Sequence, residues 1–320
     1  MSAPRISVVI PAYGRTDLLR KCLMALFRQD LNGSDYEIVV VDSSPHHENA
    51  ELVQTLSAEA PCVLRCLTKK AEGPGPSRNL GFRNARGAVI AFIDSDCEAA
   101  PQWLRQGLAH FGTGIGLVQG RTVPDPTVRR GVFSHYVSVE RESYFYETAN
   151  MFYRREALEQ SGGFRADLTP TADTPMGSED TEVAWNVIRR GWKTQFCPEA
   201  IVYHAVFPLS PWQWLVIRRL FVVPRLTSRF PELRRFMVWA YFFDRGQALF
   251  VLALAGILLA FVHPLALALC LPYVVFRASE PTRSLAGVLR PLRIAPYFLR
   301  DICSFVILSA GSLRYRSLLL

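Results

Sequence analysis

Short apolar runs alternate with helically spaced apolar positions over residues 5–112. The run 6–10 is followed by Leu18, Leu19, Cys22, Leu23 and Leu26 at helical spacing, and then by the run 38–41. The alternation continues with a helical stretch over 49–58, a strand near 63–67, a helix over 76–85 stopped by Gly87, and the strand 88–93. This rhythm predicts βαβ units and an α/β class, and nearly continuous apolar strands predict a sheet covered on both faces. Residues 113–204 are more mixed. They suggest a strand at 116–120, a polar stretch at 124–130, a helix over 155–160 ended by Gly162-Gly163, and a helix over 181–190 ended by Gly191.

The pattern changes in the last third. Residues 248–262 are apolar or small, His263-Pro264 interrupts them, and 265–276 resume. As one straight helix the segment would reach about 43 Å, more than one bilayer core. It is either a tilted, Pro-kinked span, a re-entrant hairpin turning at His263-Pro264, or a buried hydrophobic subdomain. The shortness of each arm favours the hairpin. Residues 302–313 are too short to cross and fit an interfacial helix fenced by Arg300, Arg314 and Arg316. The expected division is an α/β catalytic domain over 1–235 and a membrane-associated helical tail over 236–320.

Charge sharpens that division. Of the 36 basic and 28 acidic residues, 22 and 24 fall in 1–204, whereas 14 and 4 fall in 205–320, so the tail carries the whole excess. All 14 tail cations are Arg, interleaved with apolar runs, which suits anionic lipid headgroups and argues against nucleic acid as a partner. Arg234, Arg235 and Arg245 precede the apolar segment, and Arg277, Arg283, Arg290 and Arg293 follow it. The positive-inside bias then places both flanks at the cytoplasmic face of the membrane. Seven scattered cysteines without paired spacing fit a reducing compartment rather than a zinc or disulfide framework. The run 6–10 is too short for a signal-peptide core.

The candidate chemistry lies where strands end. Asp94-Ser95-Asp96 follows the strand 88–93, and two carboxylates at the carboxyl end of a parallel strand can grip a divalent cation and a ribose. Alone, the triplet reads equally as a strand-end turn. Asp42 ends the strand 38–41 and would accept hydrogen bonds from a nucleobase; Tyr13, after Pro11 at the end of the first strand, would pack on the base. Arg78, opening the helix after Gly73-Pro74-Gly75-Pro76 and so near its N-terminus, would meet phosphate. Glu179-Asp180, after Met176-Gly177-Ser178, opens the helix 181–190, where an ionised carboxylate is either a proton acceptor or a cap. His204 is a structural residue or a metal ligand brought in from another segment.

The ordered set ISVVIPAYGR, EIVVVDSS, PSRNLGFRNARGAVIAFIDSDC, TANMFYRREAL, GSEDTEVAWNVIRRGW and VYH resembles the family 2 glycosyltransferases over residues 5 to about 205. The resemblance implies the GT-A fold, with a mixed sheet flanked by helices, and inverting transfer from a nucleotide diphosphate sugar with Mg²⁺ or Mn²⁺. It further implies a nucleotide pocket at Pro11, Tyr13, Arg15, Asp42 and Arg78, and a diphosphate site at Asp94 and Ser95. Asp96 and His204 take the metal, Asn150, Met151 and Glu179 lie on the acceptor side, and Asp180 is the general base. The acceptor implied is a glycan or lipid-linked precursor. Tyr13-Gly14 stands where Tyr-Asn is usual, Asp42-Ser43 lacks a second acidic or amide residue, and Asn186 stands where Arg is common. Two other classes use similar carboxylates: a nucleotidyltransferase, which would want a basic loop after the first strand, and a catalytically silent nucleotide-sugar binder.

Overall fold

The computed structural model describes residues 3–169, 177–279 and 294–320. By packing, the chain forms two compact units: residues up to Val128 together with Tyr136–Val206, and Arg129–His135 together with Phe207–Leu320. The packing therefore divides at 206/207, ahead of the change in hydropathy near 235.

In chain order the first unit comprises β1 (Ile6–Ala12), α1 (Thr16–Leu26), β2 (Tyr36–Asp42), α2 (Glu48–Leu56), β3 (Val63–Thr68), α3 (Pro74–Asn84) and β4 (Val89–Ile93). There follow β5 (Cys97–Ala99), α4 (Trp103–Ala109) and β6 (Ile115–Pro124); β7 (Ser134–His135) belongs to the second unit. β8 (Asn150–Arg154), α5 (Arg155–Ser161), α6 (Glu179–Arg189) and β9 (Lys193–His204) complete the first unit. Eight strands make one sheet in the order β3-β2-β1-β4-β8-β6-β9-β5. The β3-β2-β1-β4 part is parallel, as the βαβ rhythm predicts, because α1, α2 and α3 each carry the chain back across a face. β8 runs antiparallel to β4 and β6, and β5 antiparallel to β9, so the sheet is mixed, in agreement with the GT-A class.

β2 and β4 are buried along their whole length, and β1 nearly so; Leu19, Cys22, Leu23 and Leu26 of α1 press on this core. Each such aliphatic side chain contributes about 1.5–3 kcal/mol on burial. The double cover fades at the edge, where β3 is half-buried. From β1 the chain steps outward to β2 and β3, then returns to β4 on the other side of β1. The carboxyl ends of β1, β2 and β4 thus border a topological switch point, the place where open α/β sheets bind ligands.

In the second unit, β10 (Phe207–Pro208) pairs with β7, and α7 (Pro211–Leu215), α8 (Val223–Arg229), α9 (Arg245–Leu259), α10 (Leu271–Ser279) and α11 (Ile294–Tyr315) follow. The apolar run 248–276 is not one helix. α9 ends after Leu259, and Pro264–Cys270 folds back against it as a 3₁₀ helix before α10 begins. Gly256 permits the close return, since a Cβ there would lie 2.8 Å from the Ala266 carbonyl oxygen. Residues 302–313, expected as a short interfacial helix, are the second half of α11. Among the described residues its 22 residues make it the one helix long and apolar enough to cross a membrane. The helix starts earlier because Asp301, which breaks the apolar run in the sequence, is neutralised by Arg277 at 2.6 Å. Arg277 is accordingly buried in an ion pair and not, as expected, a flanking headgroup cation. Arg283, Arg290 and Arg293 lie outside the described residues.

Candidate active site

After β4, a tight turn carries Asp94, Ser95 and Asp96 into β5. β5 pairs with the end of β9, Cys97 opposite His204, and the Ala205 amide donates to the Asp96 carbonyl at 2.9 Å. This ladder brings Asp96 Oδ1 to 3.7 Å from His204 Nε2. Nδ1 of the buried His204 lies 2.6 Å from the Ala205 carbonyl oxygen, a contact it can make only as the donor, which leaves Nε2 as the ring atom facing Asp96. Asp96 Oδ2 accepts from Arg15 Nη1 at 3.1 Å. Burial, then the charge of Asp94, raises the Asp96 carboxyl above its ordinary range, while His204 and Arg15 pull it down.

These groups fit a divalent ion. Two atoms each about 2.1 Å from a shared cation lie roughly 3–4 Å apart, so Asp96 Oδ1 and His204 Nε2 need little rearrangement. A carboxylate with an imidazole suits Mn²⁺ and tolerates Mg²⁺. Cys97 shares the cluster, but sulfur is a softer donor than Mn²⁺ or Mg²⁺ prefers, which leaves the carboxylate and the imidazole as the fitting pair.

Arg78 stands in the second turn of α3 and is buried. It does not sit at the helix N-terminus. Its Nη2 donates to Asp94 Oδ1 at 2.8 Å, its Nη1 lies 3.4 Å from Glu179 Oε1, and its guanidinium lies over the Phe164 ring at 5.6 Å. Arg78 therefore joins the carboxylates after β4 to those opening α6. Gly75 makes room for this approach, since a Cβ there would press on Glu179 Cγ at 3.3 Å. Burial, then the neighbouring Asp180, pushes the Glu179 carboxyl up to about 8. Asp180 is pushed up to about 6 by burial, against the pull of Arg78 and of the Thr181 amide, which donates to its Oδ1 at 2.8 Å. Met176, quoted with this motif, lies outside the described residues.

At the end of β1, Tyr13 is 59% exposed, Pro11 is half-buried, and Gly14 and Arg15 both adopt left-handed backbone, with φ of 58° and 52°. Gly and Asn are the residues that enter this region most readily, which accounts for Gly14 where Asn is usual. Arg15, strained there by of order 1–3 kcal/mol, turns the chain so that its side chain reaches Asp96. Asp42 departs from expectation. It is 0% exposed, its Oδ1 accepts from the Ser44 amide and Asn49 Nδ2, and its Oδ2 from the Ala50 amide, so it pins the turn into α2 rather than facing a base.

Asn150 and Met151, expected on an acceptor-side loop, open β8 and are buried. The Asn150 amide accepts from Trp103 Nε1 at 2.8 Å and donates to the Arg121 and Ala200 carbonyls at 3.0 and 2.9 Å, which clasps α4, β6 and β9 together. Sequence reasoning missed the segment that does approach Asp180. Thr181 Oγ1 donates to the Phe145 carbonyl at 2.8 Å and Trp185 Nε1 to the Tyr144 carbonyl at 2.9 Å, so α6 holds this segment, and the charge of Glu147 bears on Asp180. Residues 138–145 line a groove of about 540 Å³. The spacing of Thr181 and Trp185, one helical turn apart on α6, is the signal that could have found it.

The pattern of Glycosyl transferase family 2 matches residues 7–166, and that of Glycosyl transferase family group 2 matches 89–279. The chain is similar to glycosyltransferase AglE of Haloferax volcanii, 27% identical over 216 residues, which is 65% of this chain and 69% of that one. Among solved structures it is similar to the mannosyltransferase PcManGT from Pyrobaculum calidifontis in complex with GDP-Man and Mn²⁺, with a TM-score of 0.57 and 18% identity. That alignment covers 98% of this chain and 88% of the other. It is also similar to S. aureus TarS 1-349 in complex with UDP-GlcNAc, with a TM-score of 0.52 and 16% identity, covering 98% and 92%. At such identities the likeness to solved structures speaks for the fold.

Proposed function

Because the chain is a glycosyltransferase belonging to glycosyl transferase family 2, we propose that it moves a sugar, with inversion, from a nucleotide diphosphate donor to an acceptor hydroxyl. The observation that carries this reading is the Arg78 bridge, which makes one site of the carboxylates after β4 and the carboxylates opening α6.

The donor end is assigned to the switch point. Tyr13 packs on the base, Pro11 shapes its floor, and Asp94 with Ser95 faces the ribose and diphosphate. Asp96 and His204 would hold Mn²⁺ or Mg²⁺, which supplies positive charge to the departing diphosphate. At the other end, Asp180 takes the proton of the acceptor hydroxyl, whose oxygen then attacks the anomeric carbon from the face opposite the leaving nucleotide diphosphate. A single displacement inverts the centre and calls for one base. The raised position of Asp180, about 6, leaves it ionised at neutral pH yet more basic than a solvated aspartate. Glu179, with a proton held to about 8, spares Asp180 a second adjacent negative charge.

PcManGT bound to GDP-Man and TarS bound to UDP-GlcNAc support a nucleotide diphosphate sugar as the donor class. The apolar α11 and the Arg-rich tail support an acceptor met at the cytoplasmic face of a membrane, either a lipid-linked precursor or a cell-envelope glycan. To test the reading, the purified protein is incubated with Mn²⁺ or Mg²⁺, a panel of nucleotide sugars and acceptor lipids, and released nucleotide diphosphate is measured. Release from one donor with an inverted product supports the proposal. Retention of the donor's anomeric configuration, or silence across the panel, rejects it.

A further inference from the structure

Helices α9 and α11 bury mainly small and polar residues and expose large apolar ones. In α11 the buried residues are Asp301, Ser304, Leu308, Gly311 and Ser312, whereas Leu299, Ile302, Val306 and Leu313 are exposed. In α9, Gly246, Gln247, Ala248, Ala253 and Gly256 are buried with Phe250, and Leu252, Ile257, Leu258 and Leu259 are exposed. Folding in water favours the opposite order. A bundle surrounded by hydrocarbon needs this one, because small residues let helices approach and ionisable side chains must find partners inside.

At the centre of that interior lies Asp301. Arg277 Nη2 donates to its Oδ1 at 2.7 Å, Arg277 Nε to its Oδ2 at 3.0 Å, and the Tyr273 hydroxyl to its Oδ2 at 2.6 Å. Gly246 leaves space for the guanidinium, since a Cβ there would lie 2.6 Å from Nη2. One buried cluster therefore touches α9, α10 and α11. The turn between the arms of the hairpin is the most exposed apolar part, with Phe261 at 88% and Val262 at 85%. Residues 246–276 contain no Lys, Arg, Asp or Glu, while Arg218, Arg219, Arg225, Arg229 and Arg245 belong to the same unit. An uncharged tip in a strongly cationic unit complements a bilayer whose headgroups are anionic.

We infer that α9, α10 and α11 form one lipid-immersed bundle, with bilayer hydrocarbon against its exposed apolar face and the Arg277–Asp301–Tyr273 cluster as its internal lock. The inference rests on the membrane clause of the proposed function and is independent of the chemistry, so its readouts are chosen to need no sugar transfer.

Full-length protein is mixed with phosphatidylglycerol–phosphatidylcholine vesicles and floated on a density gradient. The parent floats, and the variant carrying Phe261→Asp and Val262→Asp, both on the surface, floats roughly tenfold less. A parent left behind as a soluble dimer gives the face to a second copy and overturns the inference; so does a double variant that floats like the parent. For the lock, hydrogen exchange of α11 is followed on the vesicle-bound protein. Asp301→Asn speeds it by roughly tenfold or more, and Arg277→Met combined with Asp301→Leu, which removes both charges, brings it back toward the parent rate. Exchange unchanged by Asp301→Asn, or not recovered in the double variant, refutes the lock.

Discussion

Removing the cation at position 78 is the perturbation to which the site should respond most. One guanidinium serves Asp94 at 2.8 Å and Glu179 at 3.4 Å, and Arg78→Met keeps much of the side-chain volume while leaving both carboxyls without it. The Asp94 side chain is 29% exposed and can take up water, whereas that of Glu179 is buried and cannot. Breaking a buried pair from one side costs roughly 3–5 kcal/mol, and hydration of Asp94 places this site near the lower end, about 3 kcal/mol. With a urea m-value of about 2 kcal/mol/M, the unfolding midpoint falls by roughly 1.5 M. The pH dependence has a definite sign. Glu179 is raised to about 8 in the folded chain, so below that value it is protonated and has little charge for Arg78 to neutralise. The loss is therefore largest above about pH 8 and smaller at pH 6, where the residual effect comes from Asp94 and from the ionised fraction of Asp180. Urea unfolding followed by Trp fluorescence at pH 6 and pH 9, on detergent-solubilised protein, measures it. Equal losses at the two pH values would refute the reasoning, because Glu179 would then carry no pH-sensitive charge held by Arg78.

Other expectations can be checked with the same protein. With Asp180 in its proposed role, which requires the ionised form, kcat/KM should rise with pH through about 6 and level off above it; a profile flat from pH 5 to 8 would count against the assignment. His204→Ala should weaken Mn²⁺ binding by roughly tenfold or more in a direct titration, and an unchanged affinity would remove His204 from the metal site. Gly107→Ala would place a Cβ against the Phe152 ring in the core, so a loss of about 1–3 kcal/mol in urea unfolding is expected, with donor affinity preserved.

Much of the fold was legible because its central strands are unbroken apolar runs and α1 keeps a clean helical stripe. Less could be read where the pattern is short or interrupted. β5 has three residues and α4 seven, too few to show a period, and β9 alternates exposed and buried positions around an irregularity opposite Gly120. The site divides along the same line. Asp94, Asp96 and Asp180 stand at element ends that the sequence marks, but their surroundings depend on pairings across long stretches of chain. Asp42 looked available because it ends a strand, yet it is buried, and its carboxylate already accepts from Ser44, Asn49 and Ala50. Asn150 is polar and adjacent to the site motifs, and only the β4–β8–β6 pairing turns its amide inward. In the tail, Arg277 reads as a flanking cation until Asp301, on another helix, is placed beside it.

The central claim is that α6 delivers the general base to a donor bound at the end of β4. Asp180→Asn keeps the side-chain shape and removes that base, so the direct test measures nucleotide diphosphate binding and sugar transfer on the same preparation. Binding should stay within about twofold of the parent while transfer falls by roughly 10²–10⁴-fold. An Asp180→Asn variant that binds nucleotide normally and transfers sugar at the parent rate would contradict the account.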